Sequence, residues 1–167
     1  MISENTFSFL LTNTPWVSDE SYIDFGAPNT SVMTSEDDIV WIDSTTYGGW
    51  WTNYVTGWRW SGSDTEYAVT TRWALTDTGS SCILGPSETV DYWREEVFAS
   101  VQGVRYASDA WGYVFRCTER QYMPEFDILF GGYWFPVHPD DYITEINTTG
   151  WCGVCLDGTS SDYWLLG

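Results

Sequence analysis

The sequence contains no lysine, and its six arginines face 24 acidic residues, so the formal net charge is −18 at pH 7. Nucleic acids and anionic membrane surfaces are recognised by basic faces, and this charge balance argues against both as partners. Long apolar runs are missing as well, and no segment approaches the roughly 20 residues that span a bilayer. No charged-then-apolar leader opens the sequence, because residues 1–15 already indicate a strand and a turn.

Side chains that bind metals or carry redox chemistry are scarce: the sequence has one histidine, His138, and four cysteines. Cys152 and Cys155 form a C-x-x-C motif, which is compatible with zinc or redox chemistry. A zinc site would need two further thiolates or imidazoles, and the remaining cysteines, Cys82 and Cys117, lie far apart in sequence. Structural disulfides formed in an oxidising compartment are the favoured interpretation, and we predict neither a metal site nor a cofactor.

Aromatic residues, by contrast, are abundant, with 12 Trp, 11 Tyr and 8 Phe. They suit half-buried sheet surfaces, and short apolar or alternating segments recur here between turns rich in Gly, Pro, Asn and Asp. This pattern predicts an all-β single domain over residues 1–167, with a hairpin at Gly131 and Gly132. The predicted strands are Phe7–Leu11, Tyr22–Phe25, Ile39–Ile42, Tyr54–Trp60, Tyr67–Leu75, Tyr113–Cys117, Phe126–Phe130, Tyr133–Val137, Trp151–Leu156 and Tyr163–Leu166.

One segment has the periodicity of a helix. Pro86 suits a first helical turn, and Glu88 and Asp91 complement the positive end of a helix dipole. The spacing of the apolar residues predicts one main amphipathic helix directly after Pro86. Its apolar stripe consists of Val90, Trp93, Val97, Phe98 and Val101.

The junction between the preceding strand and this helix carries an Asp-Thr-Gly motif at residues 77–79. Asp77 is a candidate general base, since a rigidly held carboxylate with a tuned pKa can take a proton from water. Thr78 could lock the turn through its hydroxyl, and Gly79, which has no side chain, would let a substrate backbone approach closely. Ser80 could donate a hydrogen bond that orients the carboxylate. The same triplet also occurs by chance in polar turns, so its context decides.

That context resembles the second active-site loop of the pepsin-like aspartic endopeptidases. Residues 74–86 run from apolar residues through Asp-Thr-Gly-Ser-Ser to Gly-Pro and then a helix, as in that family. The segment Trp164–Gly167 is similar to the apolar-apolar-Gly strand that packs beneath the catalytic loop. Further collinear similarities cover nearly the whole chain and comprise Phe7–Leu11, Ser21–Gly26, Met123–Phe130, Gly132–Val137 and Pro139–Ile143.

The resemblance implies one lobe of a bilobal protease, in which water activated between two aspartates hydrolyses peptide bonds without a metal or a covalent intermediate. Asp77 would be one of these aspartates, with Thr78 and Ser80 supporting the loop. The second aspartate belongs to an N-terminal lobe that this sequence lacks, and the family continues past Gly167 through a helix and a strand. The chain alone is therefore expected to be incomplete and inactive. The residues expected to contact substrate are Gly79, Ser81 and Leu75.

The resemblance also places Cys117 and Cys152 in the positions of the lobe's usual disulfide and leaves Cys82 and Cys155 as a possible second one. Digestive and lysosomal members are acidic and poor in lysine. We therefore expect a secreted protein, or one of a lysosomal or vacuolar lumen, rather than a protein of a high-salt environment. The expected partners are a protein or peptide substrate and a missing N-terminal lobe.

Alternative functions remain open. The chain could be a catalytically silent fragment or a lobe that binds a partner. It could also be a Trp-rich β-domain that binds carbohydrate, with Trp50, Trp51, Trp58 and Trp60 as a stacking platform. A homodimer that brings together two copies of Asp77 is a further arrangement, which we disfavour because no flap of the right kind is present.

Overall fold

The chain divides into two compact units, Met1–Ile42 and Asp43–Gly167. The computed structural model describes residues 4–12, 21–33, 35–45, 48–107, 112–147, 150–161 and 163–167. Within these ranges no helix is both long and apolar enough to cross a bilayer. The single domain over residues 1–167 stays a prediction.

The first unit contains a two-stranded antiparallel ribbon, β1 (Phe7–Leu10) and β2 (Tyr22–Phe25), which confirms both predicted strands. Because side chains alternate between the faces of a strand, the pairing places four apolar residues on one face of the ribbon. Each of them is at least 42% exposed. They are Phe7, Phe9, Ile23 and Phe25.

The strand predicted over Ile39–Ile42 is wrong. These residues are irregular and follow two short 3-10 turns, Thr30–Val32 and Glu36–Asp38. A short apolar run becomes a strand only where a neighbouring strand completes its backbone hydrogen bonds, and no described strand pairs with this one.

The second unit is built mainly of strands, which confirms the all-β prediction. Seven strands form one sheet in the order β12-β5-β13-β4-β3-β8-β9, and four form another in the order β10-β11-β7-β6. In chain order the elements are β3 (Thr52–Trp60), β4 (Tyr67–Thr76), β5 (Ile83–Pro86), α1 (Ser87–Ala99), β6 (Arg105–Ala107), β7 (Gly112–Arg116), a 3-10 segment (Cys117–Tyr122), β8 (Phe126–Phe130), β9 (Tyr133–Val137), α2 (Pro139–Tyr142), β10 (Ile143–Asn147), β11 (Trp151–Val154), β12 (Leu156–Thr159) and β13 (Tyr163–Leu166).

The predicted hairpin is confirmed: β8 and β9 pair antiparallel, with Phe130 opposite Tyr133. Gly131 and Gly132 form the turn with φ values of 57° and 88°, a region that favours glycine. Strands β3, β4, β7 and β13 also lie where they were expected, to within a few residues.

The single strand predicted over Trp151–Leu156 is wrong, because the chain changes sheets at Cys155. Strand β11 belongs to the four-stranded sheet and β12 to the seven-stranded sheet. The Cys155 N–H donates to the Tyr142 carbonyl at 2.7 Å, and the Cys155 carbonyl accepts from the Ile83 N–H at 3.1 Å. This residue therefore links the end of α2, directly before β10, to β5 of the seven-stranded sheet, a role that the continuous apolar pattern of the segment does not reveal.

The predicted amphipathic helix is confirmed as α1. Val90, Trp93 and Val97 are fully buried on its inner face, and Trp93 lies at the centre of an aromatic core. The ring of Trp93 is 4.4 Å from Phe126, 5.4 Å from Trp164 and 5.5 Å from Trp58, measured between ring centroids. Contacts of this kind add to the free energy of burial and hold the helix against the seven-stranded sheet.

Both predicted disulfides are present. Cys117, directly after β7, pairs with Cys152 in the inner strand β11 of the four-stranded sheet, and Cys82 pairs with Cys155 at the point where the chain changes sheets. These two bonds use all four cysteines of the sequence.

Candidate active site

The Asp-Thr-Gly motif lies in the loop between β4 and β5, which are joined in sequence but are not neighbours in the sheet. Strand β13 lies between them, parallel to β4 and antiparallel to β5. Leu166 near the end of β13 is paired with Thr76 on one side and with Ile83 on the other. The loop therefore closes over the end of β13, as the resemblance implied for Trp164–Gly167.

Backbone hydrogen bonds hold Asp77 in place. Its N–H donates to the Leu166 carbonyl at 2.9 Å, and its own carbonyl accepts from the Ser80 N–H at 3.0 Å. The Thr76 N–H donates to the Trp51 carbonyl at 3.0 Å. Two distant segments of the chain and one hydrogen bond within the loop thus fix the start of the loop, which limits the positions that the carboxylate can adopt.

The carboxylate of Asp77 is half-buried and has one local donor. The Gly79 N–H donates to Oδ1 at 3.0 Å. A Cβ at position 79 would lie 3.2 Å from the same oxygen, so the absence of a side chain leaves room beside the carboxylate. Within the described part of the chain, Oδ2 has no hydrogen-bond partner. One oxygen is therefore held while the other is available to a further donor.

The other predicted site residues surround Asp77 in different ways. The Ser80 hydroxyl donates to the Cys82 carbonyl at 3.5 Å and not to the Asp77 carboxylate. Thr78 is exposed, and its hydroxyl has no hydrogen-bond partner among the described residues. Ser81 is also exposed, whereas Leu75 is half-buried in β4 and paired with Leu165. The roles assigned to these residues stay predictions.

The base of the loop is tightly packed. Trp164 in β13 is fully buried, and a Cβ added at Gly85 would lie 2.4 Å from two of its ring carbons. A Cβ added at Gly167 would lie 2.6 Å from the Ser80 carbonyl oxygen. The disulfide from Cys82 then fastens the far end of the loop to Cys155. Glycine at these two positions is what allows β5 and the loop to approach β13 so closely.

Reasoning from the sequence missed two contributors to this site. The Leu166 and Trp51 carbonyls anchor the loop, and any residue type can supply a backbone carbonyl, so the sequence gives no signal for them.

The tryptophans predicted as a carbohydrate platform differ in exposure. Trp50 and Trp51 are each 63% exposed, but Trp58 is only 4% exposed and belongs to the aromatic core. The proposed platform of four tryptophans is therefore not a continuous exposed surface.

Among the described residues, no group of three or more His, Cys, Asp or Glu side chains is placed to hold a metal ion. The Asp77 loop offers a single fixed carboxylate whose Oδ2 has no hydrogen-bond partner among the described residues. Such a carboxylate can accept a proton from water or share a proton with a second acid.

Comparison with known proteins gives relatives that include Napsin-A, cathepsin D and pepsin A. The chain is 29% identical to Napsin-A of Homo sapiens over 102 residues, which are 56% of this chain and 23% of that protein. It is 25% identical to cathepsin D of Dictyostelium discoideum over 174 aligned positions, covering 100% of this chain and 42% of the relative. With pepsin A of Bos taurus it shares 29% identity over 98 residues, 56% of this chain and 24% of that protein. The chain thus spans less than half the length of each of these relatives.

A family model described as eukaryotic aspartyl protease matches residues 1–167. The match includes the Asp-Thr-Gly loop and the strand that lies beneath it. The chain therefore belongs to the eukaryotic aspartyl protease family.

Proposed function

We propose that Asp77 is a catalytic aspartate of an aspartic endopeptidase. The observation that supports this most directly is the position of its carboxylate. The Asp77 N–H is bonded to Leu166 in the neighbouring strand, Oδ1 accepts from Gly79, and Oδ2 has no partner among the described residues. A general base needs this combination of a fixed position and an available oxygen.

Peptide hydrolysis by this route needs a second carboxyl group. One carboxylate takes a proton from the attacking water while the other, protonated, donates to the carbonyl oxygen of the substrate. The C–N bond then breaks, and the amine leaves with a proton. In this proposal the second acid comes from a lobe that corresponds to the remaining length of the relatives, and the two carboxyl groups share one proton because like charges at close range cannot both ionise.

The surrounding loop residues support this chemistry in the proposal. Gly79 leaves space for a substrate backbone beside the carboxylate, and the exposed Thr78 hydroxyl is available to the facing lobe. The predicted role of Ser80 in orienting the Asp77 carboxylate requires its hydroxyl to leave the Cys82 carbonyl, and Ser81 and Leu75 would contact substrate. A net charge of −18 and two disulfides favour an acidic, oxidising lumen or a secreted protein as the setting.

Substitution of Asp77 by Asn tests the assignment. The chain is fused behind the N-terminal part of Dictyostelium cathepsin D, the relative whose alignment covers all of it, and is also tested alone. Cleavage of an unfolded protein at about pH 4 is measured with and without pepstatin. We expect pepstatin-sensitive cleavage by the fusion, reduced by about 10²–10⁴-fold in Asp77→Asn, the range typical of a lost general base.

The outcomes separate the alternatives. Equal cleavage by the fusion and its Asp77→Asn variant would show that Asp77 has no catalytic role. A correctly folded fusion with no activity would favour a catalytically silent lobe. Pepstatin-sensitive cleavage by the chain alone, together with a dimeric mass, would mean that two copies of Asp77 supply both acids.

A further inference from the structure

A groove away from the Asp77 loop lies between the start of β4 and the first turn of α1. It encloses about 330 Å³, and its aromatic walls are Trp58, Tyr67 and Tyr92. Glu88 and Thr89 of α1 line its polar side. Tyr67 is the first of the ten residues of β4, and the loop that holds Asp77 follows the last of them, so the groove is not part of the proposed catalytic site.

Three rings give the groove its chemical character. Trp58 and Tyr67 are stacked, with centroids 4.3 Å apart and an interplanar angle of 8°. The Tyr92 ring is 5.8 Å from the Trp58 ring and tilted by 49° to it. Trp58 is almost fully buried, whereas Tyr67 and Tyr92 are each 38% exposed. Aromatic faces carry partial negative charge, so exposed rings that flank a cavity attract organic cations.

Among the described residues that line the groove, the charged side chain is Glu88, which is negative. Glu88 is exposed at its edge, and no described residue forms an ion pair with it. Among the residues that the structure describes, neither arginine nor histidine lines the groove, and the sequence has no lysine. Glu88 lies in the first turn of α1, where a carboxylate also complements the helix dipole. That role accounts for the charge of Glu88 but not for the three rings beside it.

Elsewhere in this chain, arginine side chains stack on tryptophan rings. Arg59 lies over the Trp134 ring at 4.4 Å, and Arg105 and Arg116 lie at 3.7 and 4.1 Å from the centroid of the Trp151 ring. A planar guanidinium stacks on rings and offers several donors to a carboxylate, which an ammonium group does less well. Half of the arginines in the sequence are used in this way, yet none of them lines the groove.

We infer that this groove binds an arginine side chain of another polypeptide. The guanidinium lies against the exposed faces of Tyr67 and Tyr92 and donates to the Glu88 carboxylate. The net charge of −18 attracts a basic partner over longer distances, and the groove provides a specific site for one of its arginine side chains. Because the site does not involve Asp77, it is independent of the proposed catalytic function.

The test is a titration of the folded 167-residue chain, followed by NMR, with Nα-acetylarginine methylamide as the probe. The matching citrulline amide is the control, since it has the same shape and no charge. We expect the arginine amide to shift the amide signals of Glu88, Thr89 and Tyr92 and the indole signal of Trp58. The expected dissociation constant is in the millimolar range, and citrulline should bind about fivefold or more weakly, as befits a partly exposed cation–aromatic contact.

Variants separate the carboxylate from the rings. Glu88→Gln removes the charge and should weaken arginine binding severalfold, whereas Glu119→Gln makes the same change of net charge at a residue outside the groove and should have no effect. Tyr92→Leu removes one ring face and should also weaken binding, while Tyr92→Phe keeps the ring and should retain it. Asp77→Asn should bind the probe as well as the unchanged chain does.

Several results would overturn the inference. One is equal binding of arginine and citrulline; another is an equal effect of Glu88→Gln and Glu119→Gln. Absence of any shift at about 50 mM probe, beyond the millimolar range expected for a single side chain, is a third. Shifts of the same signals by cellobiose and not by the arginine amide would instead identify a carbohydrate site.

Discussion

Tyr142 shows most clearly how burial alters the chemistry of a single side chain in this protein. Its side chain is fully buried, and its hydroxyl donates to the Pro124 carbonyl at 2.7 Å. Burial raises the pKa of the Tyr142 phenol well above its ordinary value of 10.0, because the charged form would lose its hydration. The phenol therefore stays protonated in the folded protein at pH values that ionise an exposed tyrosine.

A loss of stability at alkaline pH follows from this raised pKa. The unfolded chain releases the Tyr142 proton from about pH 10, whereas the folded chain retains it, so the contribution is complete below pH 10 and is lost as pH rises further. The slope is at most about 1.4 kcal/mol per pH unit. Urea unfolding at pH 8, 10 and 11 should show a smaller alkaline loss for Tyr142→Phe, which also lacks about 1 kcal/mol of hydrogen bonding at neutral pH.

The control for this prediction is Tyr122→Phe, because Tyr122 is 62% exposed. Its alkaline loss should equal that of the unchanged protein. If Tyr142→Phe lost stability as steeply as the unchanged protein between pH 10 and 11, ionisation of Tyr142 would not be the cause.

At the residue scale, the sequence indicates side chains better than it indicates backbone partners. Asp77 and Gly79 stand in a local sequence motif, and the sequence singles them out through what each side chain provides or omits; their catalytic and substrate-binding roles stay predictions. The Leu166 carbonyl that accepts from the Asp77 N–H is distant in sequence, and any residue type could supply it. The hydrogen bond expected from Ser80 to the carboxylate is directed to Cys82 instead, because the loop brings that carbonyl within reach.

Among the elements, strands with clear alternation or long apolar runs were predictable and short ones were not. Strands β3, β4, β8 and β9 are of the first kind. Strand β5 overlaps the Gly-Pro that precedes α1, and β10 has polar residues at three of its five positions, Thr144, Glu145 and Asn147. The break at Cys155 could not be foreseen, since it depends on which sheet accepts each half of the segment.

The Cys82–Cys155 disulfide joins the loop after Asp77 to the point where the chain changes sheets. It spans 73 residues, and the Cys117–Cys152 bond spans 35, so chain entropy predicts a stabilisation of about 4 kcal/mol from each. We predict that replacing Cys82 and Cys155 by Ala has a local effect besides this loss. Amide hydrogen exchange of Gly79 and Ser80 should become faster, because one end of the loop is no longer fastened.

The matched control replaces Cys117 and Cys152 by Ala. That variant should lose comparable stability in urea unfolding but leave the exchange of Gly79 and Ser80 relative to the rest of the chain unchanged. Equal acceleration in both double variants would mean that the Cys82–Cys155 bond stabilises the unit as a whole and has no particular role in the loop.

For the whole molecule, the dominant property is the net charge of −18 at pH 7. Repulsion between carboxylates is stronger in the compact folded state than in the unfolded chain, so folding favours proton uptake. We predict that the melting temperature in low salt rises as the pH falls from 7 to about 4.5. About 1 M NaCl at pH 7 should raise it as well, because the Debye length is then only about 3 Å.

Scanning calorimetry over this pH range provides the measurement, with the salt series as its control. Charge repulsion requires both effects together. A melting temperature that peaks at neutral pH in low salt, or that does not respond to salt at pH 7, would contradict the explanation.

The position of β13 between β4 and β5 determines when, during synthesis of the chain, the Asp77 loop can acquire its hydrogen-bond partner. A ribosome adds about 5–20 residues per second, so seconds pass between the synthesis of Asp77 and that of Leu166. Throughout that interval the nascent chain carries the complete Asp-Thr-Gly motif without the strand to which the Asp77 N–H is bonded. Pairings between residues so distant in sequence form slowly. The carboxylate is therefore among the last groups of the second unit to reach its place, and the motif exists as sequence well before it exists as a site.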